Sequence, residues 1–113
     1  MDRALLQHLA EAVDSGRDLV LCTVVDERGS TPRGRGAAML VFGDGRIDGT
    51  IGGGITEHRG IERALAMLRD GTRTEFYTET LSATEAALEG AACGGEVSVF
   101  LERFGRADEL LIF

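Results

Sequence analysis

A chain of 113 residues fits one domain, and 43% hydrophobic with 27% charged residues is an ordinary globular composition. The formal net charge of −7 argues against a nucleic-acid-binding face over the whole molecule, and no apolar run approaches the ~20 residues that cross a bilayer. Because all 12 basic residues are arginines, Schiff-base chemistry and the lysine of a P-loop are excluded.

The first half of the chain predicts one helix and a β-hairpin. Residues 2–15 are expected to form an amphipathic helix, because apolar residues recur there at helical spacing: Leu5, Leu6, Leu9 and Val13. The β-branched run 19–25 predicts a buried strand, and 37–42 predicts a second one. The turn 43–45 then leads into a third strand over 46–50.

The second half predicts a longer helix and two strands. Residues 55–68 carry an apolar helical face that Asp70-Gly71 ends, and 73–79 and 96–102 alternate as strands do. Residues 80–92 are ambiguous between a short helix and a loop. The order predicts a single small α+β domain, with a mixed or mostly antiparallel sheet and two main helices packed on it.

Cellular location is predicted from the N-terminus and the cysteines. Residues 1–8 are interrupted by polar side chains and lack the apolar stretch of a signal peptide. We therefore expect a cytoplasmic protein in which Cys22 and Cys93 are reduced thiols rather than a disulfide.

The segment from Arg28 to Gly36 is the first candidate site. Between Arg28 and Gly43 there are three arginines and no acid, in a chain that is otherwise acidic. Glycines allow close backbone approach, hydroxyls donate hydrogen bonds and guanidinium groups match phosphate oxygens. The segment thus predicts an anion site formed by Arg28, Ser30, Thr31, Arg33 and Arg35. The alternative is a solvated turn whose arginines neutralise nearby acids.

A second candidate lies at Gly52-Gly53-Gly54, between a strand and a helix. Such a run indicates unusual backbone angles or close backbone contact, and a helix N-terminus attracts anions. No dinucleotide fingerprint occurs, because Glu57 stands at the sixth position from Gly52. Thr56 or Glu57 capping the helix is the alternative.

The third candidate is Cys93-Gly94-Gly95, just before the last predicted strand. Beside two glycines in a loop, this thiol is placed to reach a ligand, although a lone cysteine is more often a small buried apolar residue. With His8 and His58 far apart in the chain, no recognised zinc spacing exists.

Together these segments resemble the N-terminal domain of the XdhC/CoxI family. The resemblance rests on Arg28–Arg33, on Gly49–Gly54 with Glu57, and on Cys93–Val97, with Asp44–Ile47 fitting between the first two. Order and spacing match over roughly residues 5–103. The domain is therefore assigned to residues 1–106, and 107–113 resembles the first strand of a Rossmann-type domain.

The resemblance implies a non-enzymatic accessory protein with no catalytic residues. Its cargo would be the molybdenum cofactor, as molybdopterin or its nucleotide form, which it helps to mature or delivers to a xanthine dehydrogenase or CO dehydrogenase-type molybdenum hydroxylase. The cofactor-binding residues would be those of the three candidate segments: Arg28, Ser30, Thr31, Arg33, Arg35, Gly52, Gly53, Gly54, Glu57, Cys93, Gly94 and Gly95. Cys93 would also be a candidate metal ligand.

One departure from the family pattern leaves two alternatives open. The family usually has cysteine after the triple glycine, where this chain has Ile55. The alternative function is therefore a docking or regulatory domain that binds the hydroxylase apoenzyme or a separate Rossmann-domain subunit without holding cofactor. An enzyme that uses Glu57 or His58 as a base is a further reading, and a homo-oligomer is compatible with either role.

Overall fold

A computed structural model describes residues 2–28, 36–81 and 95–105, apart from the side chains of residues 26–28, 81 and 95. The element order confirms the predicted one. The helices and strands are α1 (Arg3–Asp14), β1 (Leu19–Arg28), β2 (Ala38–Phe42), β3 (Ile47–Gly49), α2 (Gly54–Asp70), β4 (Thr74–Leu81) and β5 (Gly95–Phe104). The predicted tail at 107–113 and most of the ambiguous segment 80–92 lie outside the described residues.

The five strands form one sheet in the order β3-β2-β1-β5-β4. Each neighbouring pair is antiparallel, so the predicted α+β class with a mostly antiparallel sheet is confirmed. β1 lies at the centre and is apolar on both faces over Leu19–Cys22, which is why its sequence reads as a continuous apolar run.

The two helices cover opposite faces of this sheet. The face under α2 carries the larger cluster of buried residues: Val20, Cys22, Val24, Met39, Val41, Ile51, Ala64, Met67, Tyr77, Val97, Val99 and Leu101. The face under α1 carries the smaller one: Leu5, Leu9, Ala12, Leu19, Leu21, Ala38, Leu40 and Phe42. Because successive side chains of a strand point to opposite faces, β1 and β2 supply residues to both clusters.

The α1 stripe differs by one residue from the predicted one. Leu5, Leu9 and Ala12 are the buried positions, whereas the side chain of Leu6 is 55% exposed. Leu6 was placed on the apolar face wrongly, because it lies about 100° around the helix from Leu5. Asp2 caps the helix by accepting a hydrogen bond of 2.8 Å from the Leu5 N–H.

β1 is longer than its apolar run predicted. It continues through Asp26–Arg28, where β5 alone supplies its described pairing partners, and a bulge at Val25 shifts the register. Polar residues tolerate this position because the strand has by then passed the start of β2 at Ala38. Neither described helix is long and apolar enough to cross a membrane.

Position 49 requires glycine more strictly than positions 43 and 45 of the same hairpin do. Its φ is +86°, and a Cβ built there would stand 2.6 Å from the carbonyl oxygen of Ala38. Gly45 also has a positive φ, of +91°, but a Cβ there would meet nothing within 4 Å. Gly43 has neither constraint.

We therefore predict a graded series of alanine variants in this hairpin. Gly43→Ala should leave the free energy of unfolding within about 0.5 kcal/mol of the parent, and Gly45→Ala should lower it by about 1 kcal/mol through backbone strain. Gly49→Ala should lower it by about 2–4 kcal/mol, because strain and overlap add. Urea denaturation measures all three, and equal losses for Gly45→Ala and Gly49→Ala would show that the overlap is relieved without cost.

Candidate functional site

The described strand ends that adjoin the three predicted segments lie at one end of the sheet. β1 ends at Arg28, and the chain between it and β2 is the arginine-rich segment. β5 begins at Gly95, directly after the Cys93-Gly94 pair, and Arg28 lies opposite Glu96 in the β1–β5 ladder. The antiparallel pairing therefore places the end of β1 and the start of β5, which are far apart in the sequence, at the same end of the sheet.

The triple-glycine turn leaves β3 toward this same end. β3 ends at Gly49 beside Met39, and the Thr50 N–H donates to the Ala38 carbonyl at 3.2 Å. Since neighbouring strands are about 4.8 Å apart, β3 lies about 14 Å laterally from β5. The β1 and β5 strands also extend four residues past Val24, which is level with Gly36. At this end of the sheet, the paired ends of β1 and β5 therefore extend beyond the start of β2 and the end of β3.

The backbone of the turn has the unusual angles that the sequence predicts. Gly52, Gly53 and Gly54 have φ values of +120°, +74° and +58°, and Gly53 is the N-cap of α2. A Cβ at Gly52 or Gly53 would meet nothing within 4 Å. Glycine is required there by conformation and not by crowding, so the peptide backbone of the turn is open to a ligand.

Glu57 holds this turn in shape through one carboxylate oxygen. Its Oε1 accepts hydrogen bonds from the Thr50 hydroxyl at 2.5 Å, from the Gly53 N–H at 3.1 Å and from the Ile51 N–H at 3.3 Å. The Thr50 hydroxyl oxygen in turn accepts the Gly52 N–H at 3.1 Å. Glu57 therefore fulfils the capping alternative, from the first turn of α2 where a negative charge is favourable.

This arrangement changes which groups of the turn are available to an anion. The N–H groups of Ile51, Gly52 and Gly53 already have acceptors inside the protein. An anionic ligand at these groups has to displace the Glu57 carboxylate, whereas a flat or neutral group can pack on the open glycine backbone without doing so. Thr50 is the residue that the sequence analysis missed, although a threonine just before a triple glycine is a recognisable candidate for a side-chain turn bond.

The turn is anchored to the core beneath it. Ile51 is 3% exposed and belongs to the cluster under α2. Gly60 permits α2 to approach, since a Cβ there would stand 3.2 Å from Ile51 Cδ1. Ile55, which replaces the cysteine of the family pattern, is partly buried in the first turn of α2.

The arginines predicted to bind an anion are only partly described. The backbone of Arg28 ends β1, and Gly95 begins β5, but Ser30, Thr31, Arg33, Arg35, Cys93 and Gly94 lie outside the described residues. Arg59, the arginine that follows the turn in sequence, pairs with Glu79 at 3.1 Å. The positive charge for an anion at this end is therefore expected from the arginine-rich segment rather than from α2.

The other sequence candidates do not converge on a described centre. The His58 side chain is 75% exposed and lies 3.7 Å from Glu62, one turn farther along α2. Among the described residues, no three potential ligands come together to hold a metal ion. Cys22 is a free thiol buried under α2, and burial raises its pKa to about 12.

Comparison with known proteins identifies the family. The profile of the XdhC and CoxI family matches residues 12–79, which is more than half of the chain. The chain belongs to the XdhC and CoxI family. This confirms the resemblance that the three glycine-containing segments indicated.

Two Escherichia coli proteins and one solved structure are similar to the chain. The uncharacterized protein YqeB is 39% identical over 92 residues, which is 81% of this chain and 17% of YqeB. The molybdenum cofactor insertion chaperone PaoD is 36% identical over 110 residues, which is 96% of this chain and 34% of PaoD. The crystal structure of a xanthine dehydrogenase from Bacillus halodurans aligns with a TM-score of 0.68 and 29% identity, covering 88% of this chain and 29% of that one.

The chain thus corresponds to about a third or less of each of these relatives. Its similarity to an insertion chaperone supports the prediction of an accessory protein rather than an enzyme.

We predict that Glu57 stabilises the fold through the turn. Glu57→Ala should lower the free energy of unfolding by about 2 kcal/mol, because it leaves three donors without their charged acceptor. Glu57→Gln retains one acceptor oxygen and should lose about half as much. Glu62→Gln, an exposed acid on the same helix, is the matched control and should change stability by less than about 0.5 kcal/mol. Equal stability of all three variants in urea denaturation would show that the turn holds its shape without Glu57.

We also predict that Cys22 is inert in the folded protein. A thiol with a pKa near 12 carries very little thiolate at pH 8, so a Cys93→Ser variant should react with iodoacetamide only when it is unfolded. The native reaction should accelerate as the pH rises toward the pKa. Rapid labelling of the native variant at pH 8 would contradict the burial of this thiol.

Proposed function

We propose that this domain binds the molybdenum cofactor as cargo and supports its maturation or its delivery to a xanthine dehydrogenase or CO dehydrogenase-type molybdenum hydroxylase. The observation that carries the proposal is that β1 ends, β5 begins and the glycine turn leaves β3 at the same end of the sheet, where the chain continues into the arginine-rich segment and from the Cys93 segment. The similarity to PaoD, an insertion chaperone for this cofactor, supports it.

The anionic part of the cofactor belongs with the arginine-rich segment. Arg33 and Arg35 hold the phosphate, Arg28 adds positive charge, and Ser30 and Thr31 donate hydrogen bonds to its oxygens. A site based on side-chain donors suits this structure, because the N–H groups of Ile51, Gly52 and Gly53 are bonded to Glu57 and Thr50.

The glycine turn offers a surface for the flat part of the same molecule. Its open backbone at Gly52 and Gly53 allows a planar pterin to approach more closely than any side chain would permit. Glu57 acts here as a positioning residue that fixes the turn through its hydrogen bonds.

The sulfur-binding part depends on Cys93. Cys93 precedes β5 by two residues in the sequence, and β5 begins at the end of the sheet toward which the glycine turn leaves β3. With Ile55 in place of the family cysteine, Cys93 is the motif thiol that remains for contact with the metal or its sulfur ligands.

The test is cofactor binding by variants of the arginine-rich segment. Protein purified anaerobically from a molybdenum-replete host should contain pterin and molybdenum close to stoichiometrically. Arg33→Ala with Arg35→Ala should weaken cofactor binding at least tenfold, through loss of two charged phosphate contacts. Arg3→Ala with Arg69→Ala removes the same charge from exposed helix positions and should change binding less than twofold. Unchanged affinity in the Arg33/Arg35 variant would remove these arginines from the site.

The alternative function is docking to a hydroxylase apoenzyme or a separate Rossmann-domain subunit without cofactor. One observation favours it: Phe76 is 58% exposed and lies opposite Phe100 in the β4–β5 ladder. This aromatic pair is on the sheet face of α1, where the described buried cluster draws its strand residues from β1 and β2. Capture of a hydroxylase by protein that repeatedly contains no pterin would favour docking over cargo binding.

A further inference from the structure

A cleft opens on the α1 side of the sheet, toward the end opposite the glycine turn. It has a volume of about 390 Å³ and lies between α1 and the β2–β3 hairpin. Ala12, Phe42 and Ile47 supply its apolar lining. Among the described residues, none that is proposed to bind the molybdenum cofactor lines this cleft.

Two arginines converge on one aromatic ring in this cleft. The Arg17 Cζ lies 4.2 Å from the centroid of the Phe42 ring, and the Arg46 Cζ lies 5.7 Å from the same centroid. Phe42 itself is only 8% exposed, so the ring is a fixed platform. Stacking uses the face of a guanidinium and leaves its in-plane N–H donors available to an anion.

Both arginines are attached to well-defined turns. The Arg17 N–H donates to the Ala12 carbonyl at 3.1 Å, just after the C-terminus of α1. The Arg46 carbonyl accepts the Phe42 N–H at 2.9 Å, and the Arg46 N–H donates to Asp44 Oδ1 at 3.0 Å. Asp44 also pairs with Arg46 Nε at 3.2 Å, which orients that side chain. Before any ligand arrives, the Arg46 guanidinium is thus paired with Asp44 and that of Arg17 is stacked on the Phe42 ring.

The rest of the cleft wall carries hydrogen-bond acceptors. His8 Nδ1 is hydrogen-bonded to Asp48 Oδ2 and so ties α1 to β3. Glu11 follows His8 by three residues and lies on the same side of α1. The cleft thus combines paired arginines with carboxylates that accept hydrogen bonds from hydroxyl or amino groups.

We propose that this cleft binds a small organic phosphate monoester of about mononucleotide size. Arg17 and Arg46 hold the phosphate, and Glu11 and Asp48 accept hydrogen bonds from hydroxyl or amino groups of the organic part. The volume lies within the range of small-molecule sites in proteins. The donors of the two arginines favour a phosphate, and Glu11 together with the Asp48 oxygen that is not bonded to His8 favours a hydroxyl or amino group beside it.

The first experiment is an amide NMR titration of the full chain with adenosine 5′-monophosphate, inorganic phosphate and adenosine. The monophosphate should shift the amides of Arg17 and of the hairpin turn 43–46, and it should bind at least tenfold more tightly than either of the other two probes. Arg17→Gln with Arg46→Gln should lower its affinity at least tenfold. Arg3→Gln with Arg69→Gln, the control with the same charge change, should lower it less than twofold.

A second variant tests the acceptor part of the cleft. Glu11→Gln should lower the ratio of monophosphate affinity to phosphate affinity, because it weakens the contact to the organic group while removing a charge that repels both probes. Unfolding curves of all variants confirm that each is folded at the titration temperature.

Several results would overturn the proposal. Adenosine binding as tightly as its monophosphate would show that the arginines are not used, and phosphate binding as tightly would show that the acceptors are not used. An equal loss of monophosphate affinity in the Arg3→Gln, Arg69→Gln control would show that the affinity depends on net charge and not on the cleft. Shifts confined to residues 50–54 would place the phosphate at the proposed cofactor end of the sheet, and they would leave that proposed function standing while removing this one.

Discussion

The antiparallel pairing of β1 with β5 is the contact on which the rest of the domain depends. It joins a strand from the first quarter of the chain to one near its end, over nine registered residue pairs. The first half of the chain supplies α1 and the β1–β2–β3 meander, whereas the second supplies α2, β4 and β5. Without this ladder the described parts of the two halves would meet mainly through the packing of α2, and the start of β5 would not lie beside the end of β1.

This long-range pairing also explains the limits of the sequence analysis. Periodicity predicted the helices within one or two residues, and alternation predicted β5, because both signals are local. The extension of β1 over Asp26–Arg28 was missed, since polar residues become a strand there only by pairing with β5. Leu6 was assigned to the buried face for a different reason. Leu5 and Leu6 are both apolar, and the sequence alone does not tell which of the two adjacent leucines faces the sheet.

The candidate site was predictable in part. The triple glycine predicted positive φ values, because no other residue type adopts a run of them readily. All three residues have positive φ values. Capping by Thr56 or Glu57 was the alternative to an anion site at the turn; Glu57 does bond the turn, and whether the turn also binds a ligand stays a prediction. The α1 cleft had no local signal at all, since His8, Arg17, Arg46 and Asp48 are scattered over two elements and two turns.

The bonded state of the glycine turn bears on how a cargo protein releases what it binds. Glu57 satisfies the turn with a carboxylate from the same chain, so the turn keeps its shape whether or not a ligand is present. A preformed site spends little of its binding free energy on ordering the backbone, which favours rapid exchange as well as affinity. The same carboxylate opposes any anion that approaches the turn. This is why the proposed function assigns the phosphate of the cofactor to the arginine side chains and not to the backbone of the turn.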